Sequence, residues 1–136
     1  EDTYIYHELL YKAKNIVLTG HVGYMYFSRK ESIIGQLPQY TDRYFDFIEA
    51  VWLRARFLLD HKVDKYSIDA CLSYYAAMVN MYKNIKLSST NNELYNQSIK
   101  QYKKLYHIMI KSNISYKQKV RLFLLRYFPK IHCRIY

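Results

Sequence analysis

From Thr41 onward, apolar residues recur in steps of three and four, the spacing that gathers side chains on one face of a helix. Between Thr41 and His61 that face is Tyr44, Ile48, Val51, Ala55 and Leu58, with Thr41-Asp42 as its cap. Ser67 is placed to cap a second helix, on which Ile68, Leu72, Tyr75, Val79 and Tyr82 repeat. Ser88-Ser89-Thr90-Asn91-Asn92 reads as a loop. Thr90 and Glu93 then have capping-box spacing ahead of a stripe of Leu94, Ser98, Tyr102, Leu105 and Met109. Ser112-Asn113 breaks that helix and Ser115 opens a last one. Pro129 should kink or end it, because proline lacks the N–H and clashes with the preceding turn.

Residues before this stretch have a different rhythm. Asp2 or Thr3 can cap a helix running to Lys14, with Ile5, Leu9, Leu10 and Ala13 as its apolar stripe. Lys12 and Lys14 then sit at the negative end of its dipole, and Asn15 ends it. Ile16-Val17-Leu18-Thr19 is short and β-branched, so it reads as a strand; Gly20 and Gly23 bracket a turn, and Val22 to Phe27 reads as a second extended segment. The expected fold is therefore mainly α. A short α/β opening unit in residues 1–36, one helix plus two short strands, precedes a bundle of about four helices in residues 37–136.

Composition sharpens this picture in two ways. The 136 residues are 51% hydrophobic and 18% aromatic, enough to bury a core, and three Gly with two Pro leave few turns, which favours long helices. No apolar run approaches the roughly 20 residues that span a bilayer, and the acidic start has no apolar segment of the kind a signal peptide needs. Cys71 and Cys133 are too few for a disulfide framework, which makes a reducing cytoplasm the expected setting. Charge is divided sharply. Residues 1–60 hold seven Lys/Arg and eight Asp/Glu, whereas residues 61–136 hold fourteen and three, a net of +11, with no acidic residue after Glu93. Such polarity points to an anionic partner.

Candidate chemistry is concentrated at the start. The carboxylates of Glu1 and Asp2 stand where a helix dipole favours negative charge, so one of them could take a proton from a hydroxyl nucleophile; on the residues alone a plain capping role, the common one for such carboxylates, is favoured. Arg29 has the guanidinium fork that fits phosphate oxygens, or it is a solvated charge at a strand end. The five histidines, His7, His21, His61, His107 and His132, show no zinc-ligand spacing. His132-Cys133 reads as structural rather than as a nucleophile pair, and no Gly-rich phosphate loop is present. Asp42 and Asp46, four residues apart, read as a solvated helix face.

The order of elements in residues 1–34 resembles the carboxyl-terminal part of the catalytic domain in bacterial family 2 glycosyltransferases of the GT-A fold, which build cell-surface polysaccharides. The matching pieces are Glu1-Asp2, the run Glu8-Leu9-Leu10-Tyr11-Lys12-Ala13-Lys14-Asn15-Ile16, Tyr24-Met25-Tyr26, and Arg29-Lys30-Glu31-Ser32-Ile33, about a quarter of the chain. Phe27 and Glu31 depart from the pattern, standing where the family often has a basic residue and a glycine. The resemblance implies that Asp2 is the general base for the acceptor hydroxyl, Glu1 its companion, and Arg29 a contact to the donor diphosphate. It also implies a nucleotide sugar and a saccharide or lipid-linked acceptor as substrates, and a divalent metal, Mg or Mn, in the full-length enzyme. The family's Asp-x-Asp metal motif lies in a half that precedes the acidic pair. This chain contains no Asp-x-Asp, so it should bind no cofactor itself and be inactive in isolation.

The basic tail supplies a second theme. Lys117, Lys119, Arg121, Arg126, Lys130 and Arg134 interleave with Val120, Phe123, Leu124, Tyr127 and Phe128. Val120, Leu124 and Tyr127 share one helical face, with Leu122 and Leu125 outside it, so contact on two sides is expected. The tail can seat the protein on an anionic membrane surface, placing it peripherally at the inner face of the cell membrane, or it can dock on the bundle. The helical region can also form a homo-oligomer. Nucleic acid is not an expected partner of the enzyme, since no recognised binding motif is present. The rival to the enzyme reading is a non-enzymatic helical module that binds anionic lipid or nucleic acid through residues 99–134.

Overall fold

The computed structural model describes residues 2–17, 20, 43–84 and 92–136. These form six helices: α1 (Asp2–Lys12), α2 (Arg43–Asp60), α3 (Asp64–Asn84), α4 (Asn92–Lys111), α5 (Tyr116–Tyr127) and α6 (Pro129–Ile135). The expected α/β opening unit is not what forms, for no strand occurs among the described residues. Ile16 and Val17, half of the first expected strand, are 60% and 81% exposed with extended partners absent among the described residues. A strand without a neighbour has nothing to take its N–H and C=O groups, so β-branching alone does not make one. The second expected strand, Val22 to Phe27, lies outside the described residues, as do Thr41-Asp42 and most of the expected loop before α4.

Helices α2, α3 and α4 build the core, with α5 packed on α4, and α6 on α5 and α3. Ile48, Val51 and Ala55 of α2 are buried, as the spacing of apolar positions predicts. Tyr74, Met78 and Met81 of α3 meet Leu105 and Met109 of α4 in the same cluster, all essentially inaccessible. The turn from α2 to α3 is set by hydrogen bonds from Lys62 N–H to the Leu59 carbonyl, 3.1 Å, and from Val63 N–H to the Leu58 carbonyl, 3.0 Å. With Lys62 at φ 54°, this is a Schellman ending that uses a lysine where glycine is usual. Helix α3 starts at Asp64, three residues before the expected cap. Ser67 is therefore inside the first turn, its hydroxyl donating to the Val63 carbonyl at 2.8 Å.

Two boundaries match expectation closely. Ser115 caps α5 reciprocally: Gln118 N–H donates to the Ser115 hydroxyl at 3.3 Å, and Ser115 N–H donates to Gln118 Oε1 at 2.9 Å. Pro129 stands in the first turn of α6, where its missing N–H costs nothing, so the proline ends one helix and begins another.

The many tyrosines act as cross-links between helices. The Tyr44 hydroxyl donates to the Ala77 carbonyl at 3.1 Å, joining α2 to α3. The Tyr102 hydroxyl donates to the Leu122 carbonyl at 3.1 Å, joining α4 to α5. Tyr74 donates to the Ser98 carbonyl, 2.9 Å, and to Gln101 Oε1, 2.8 Å, while Gln101 Nε2 donates to Glu49 Oε2 at 2.6 Å. That chain ties α2, α3 and α4 together through satisfied polar groups, which fixes their register more narrowly than apolar contact alone. Burial raises the Tyr74 and Tyr102 hydroxyls well above the usual phenol range, keeping both as donors.

Candidate functional site

Helix α1 is the element on which the expected catalytic residue stands. Asp2 is its first residue; Glu1 and Arg29 lie outside the described residues, so the three expected site residues are not brought together by what is described. The helix runs in the same sense as α2. The Tyr4 hydroxyl donates to the Asp46 carbonyl at 2.9 Å near the start of α2. Near its end, Tyr11 sets its ring edge-on to Phe57 at 5.4 Å and to His61 at 4.8 Å. His7 is buried, edge-on to Phe57 at 5.1 Å, and Phe57 stacks on His61 at 4.0 Å. Aromatic edges and faces of this kind attract beyond simple area burial.

This docking reverses the expected orientation of α1. Ile5, Leu9 and Leu10, expected to face inward, are 56%, 59% and 38% exposed. His7 turns inward and Tyr11 leans on the bundle with half its surface still exposed, because Phe57 and His61 offer them ring partners, and hydropathy spacing gives no weight to such partners. The helix also ends at Lys12 rather than Lys14. Alongside it, between α1, α2 and α3, runs an open groove of about 660 Å³. Tyr6, Leu10 and Tyr11 form one wall, and Leu58, Tyr66 and Arg54 another, with Asp69 at its edge. Its size and its mixture of rings with a few charges are those of a small-ligand site. No motif pointed to Arg54 of α2 or to Tyr66 and Asp69 of α3, which come together through the packing of α2 on α3.

The basic tail forms α5 and α6. Lys117, Lys119, Arg121 and Arg126 lie on α5, and Lys130 and Arg134 on α6. The docking face of α5 is Leu122 and Leu125, both 1% exposed, so the pair placed outside the expected first face is the one that packs. Val120 and Leu124 are half-buried and Tyr127 is exposed. Arg121 and Arg126 are half-buried: the Arg121 guanidinium lies 4.3 Å from the Tyr136 ring centre, and that of Arg126 5.6 Å from Tyr127. Lys117, Lys130 and Arg134 are exposed.

At the root of α6, His132 is fully buried, and its Nε2 shares a hydrogen bond of 2.7 Å with the Tyr75 hydroxyl. Desolvation, with Lys83 and Arg121 nearby, lowers the affinity of this imidazole for a proton; burial pushes the Tyr75 hydroxyl up to about 12. Tyr75 thus stays protonated and His132 neutral. Because the native ring resists a proton that the unfolded ring accepts near pH 6.5, stability should fall as pH drops below that value. Thermal melts at about pH 7.5 and about pH 5.5 should show a lower midpoint in acid, and His132→Gln should flatten the difference. An unchanged difference in the variant would assign the acid sensitivity elsewhere.

Among the described residues, no group of three or more His, Cys, Asp or Glu side chains is arranged to hold a metal ion. No described helix is long and apolar enough to cross a membrane. Comparison with known proteins found no matching family model, no similar curated protein and no similar solved structure.

Proposed function

We propose that this chain is the carboxyl-terminal portion of a bacterial family 2 glycosyltransferase, comprising the acceptor-side end of its catalytic domain and a helical extension. The full-length enzyme transfers a sugar from a nucleotide donor to a saccharide or lipid-linked acceptor in the cytoplasm, and Asp2 takes the acceptor proton. The observation that carries this reading is the ordered series of residues from Glu1 to Ile33 that resembles the family. Two features of α1 support it. Asp2 is the first residue of the helix, the place the resemblance gives to the base. The outward face with Ile5 and Leu9 is the apolar surface that a helix at the edge of a larger domain turns toward the rest of that domain. The exposed rings of Tyr6, Tyr11 and Tyr66 along the groove are suited to stack on the faces of acceptor sugars.

A divalent metal, Mg or Mn, belongs to the donor-binding half, and no residue described in this chain is assigned to it. The coding sequence upstream of Glu1 tests the proposal directly. It should encode an α/β half with an Asp-x-Asp motif, and joining that half to this chain should yield metal-dependent transfer from a nucleotide sugar. An upstream sequence without such a half would overturn the reading.

A further inference from the structure

The basic tail carries an exposed apolar surface as well as charge. On α5, Tyr116, Lys119, Phe123 and Tyr127 follow at helical spacing along one side. Phe123 packs against Tyr127 at 4.8 Å and against Phe128 at 6.3 Å, carrying the surface across the break at Pro129. On α6, Ile131 and Ile135 are one turn apart and continue from Phe128. Phe123, Tyr127, Phe128, Ile131 and Ile135 are 46%, 52%, 49%, 48% and 60% exposed. Such a run of large exposed apolar side chains marks an interaction surface rather than ordinary scatter. Lys130 and Arg134, next in sequence to the two isoleucines, flank the stripe on α6, and Lys119 lies within it on α5. No carboxylate stands on α5 or α6 to offset them, since none follows Glu93 in the sequence.

The geometry points to this face, Phe123–Tyr127–Phe128 with Ile131 and Ile135, as a docking surface for an anionic lipid bilayer. The apolar side chains enter the headgroup region while Lys119, Lys130 and Arg134 meet lipid phosphates. Two alternative occupants fit less well. A nucleic acid would use the rings and cations, but Ile131 and Ile135 have no π-face for a base to stack on. A second copy of this chain would bring the same cations face to face with no acidic residue from the tail to neutralise them. Lipid uses both the charge and the aliphatic side chains. The inference does not rest on the glycosyltransferase reading, and either can fail alone.

The test uses the full 136-residue chain. It is mixed with phosphatidylcholine vesicles and with vesicles in which about one-third of the lipid is phosphatidylglycerol, and binding is read by co-sedimentation. Binding should require the anionic lipid and weaken as salt is raised. The double variant Ile131→Ser, Ile135→Ser should lower partitioning at least about tenfold, with helical circular dichroism and Trp52 emission unchanged. Lys130→Glu with Arg134→Glu should also weaken binding, with a loss that shrinks in high salt. Absence of binding to anionic vesicles at low salt would overturn the inference. So would wild-type partitioning by the isoleucine variant, tighter binding to an oligonucleotide than to vesicles, or a dimer that the isoleucine variant dissociates.

Discussion

Asp2→Asn in the full-length enzyme should lower sugar transfer by about a hundredfold to ten-thousandfold, the range for loss of a general base, while donor binding stays intact. The proposed role needs an ionised carboxylate beside the acceptor hydroxyl, and an amide cannot accept the proton. The substitution is also gentle on the fold: Asn and Asp serve about equally well at a helix start, so α1 should keep its place against Phe57 and His61. Turnover should therefore collapse without a matching loss of thermal stability or of nucleotide-sugar affinity. Glu1→Gln, at the companion position, should have a smaller effect. Turnover within a few-fold of wild type in Asp2→Asn would remove this residue from the base role and leave α1 with a structural one.

How far the sequence discloses the molecule depends on what each helix packs against. In α2 the inward residues are mostly aliphatic, so the spacing of Ile48, Val51 and Ala55 marks the buried face directly; in α4 the buried face mixes Leu105 and Met109 with Tyr102, Ser98 and Gln101, of which the spacing marks all but Gln101. Helix ends were equally legible where the side chains themselves close the backbone, as at Ser115 with Gln118 and at Pro129. Helix α1 departs from its expected orientation because its inward contacts are rings, one of them histidine, while Ile5 and Leu9 point away from the bundle. The same reason hid half of the docking surface. Lys130 and Arg134 are visible as charges in the sequence, but only the burial of His132 shows that Ile131 and Ile135 must face outward on α6. Strand propensity at Ile16-Val17 did not suffice, for no pairing partner stands beside it among the described residues, and no local signal reports that. The groove residues Arg54, Tyr66 and Asp69 belong to two helices far apart in the local pattern and share a setting only because α2 packs on α3, with α1 closing the other side of the groove.

The largest stability loss should come from Tyr74→Ala. Its ring is fully buried where α2, α3 and α4 meet, edge-on to Trp52 at 6.1 Å. Removing an aromatic side chain from such a site costs about 3–5 kcal/mol, because the transfer energy is lost and the cavity closes only in part. In a domain of this size that corresponds to a fall in melting temperature on the order of 10–20 °C. Tyr74→Phe separates the two contributions. It keeps the ring but takes the donor from Gln101 Oε1, whose Nε2 remains bound to Glu49, so about 1–2 kcal/mol should be lost. The Ser98 carbonyl, inside α4, keeps its place in the helix ladder and adds little to that figure. Trp52, the single tryptophan, is a built-in reporter of both effects through urea titrations followed by fluorescence. If Tyr74→Ala cost no more than Tyr74→Phe, the ring would contribute nothing beyond its hydroxyl. The junction of the three helices would then be held by the Glu49–Gln101–Tyr74 chain rather than by packing, and Glu49→Ala should in that case be as damaging as Tyr74→Ala.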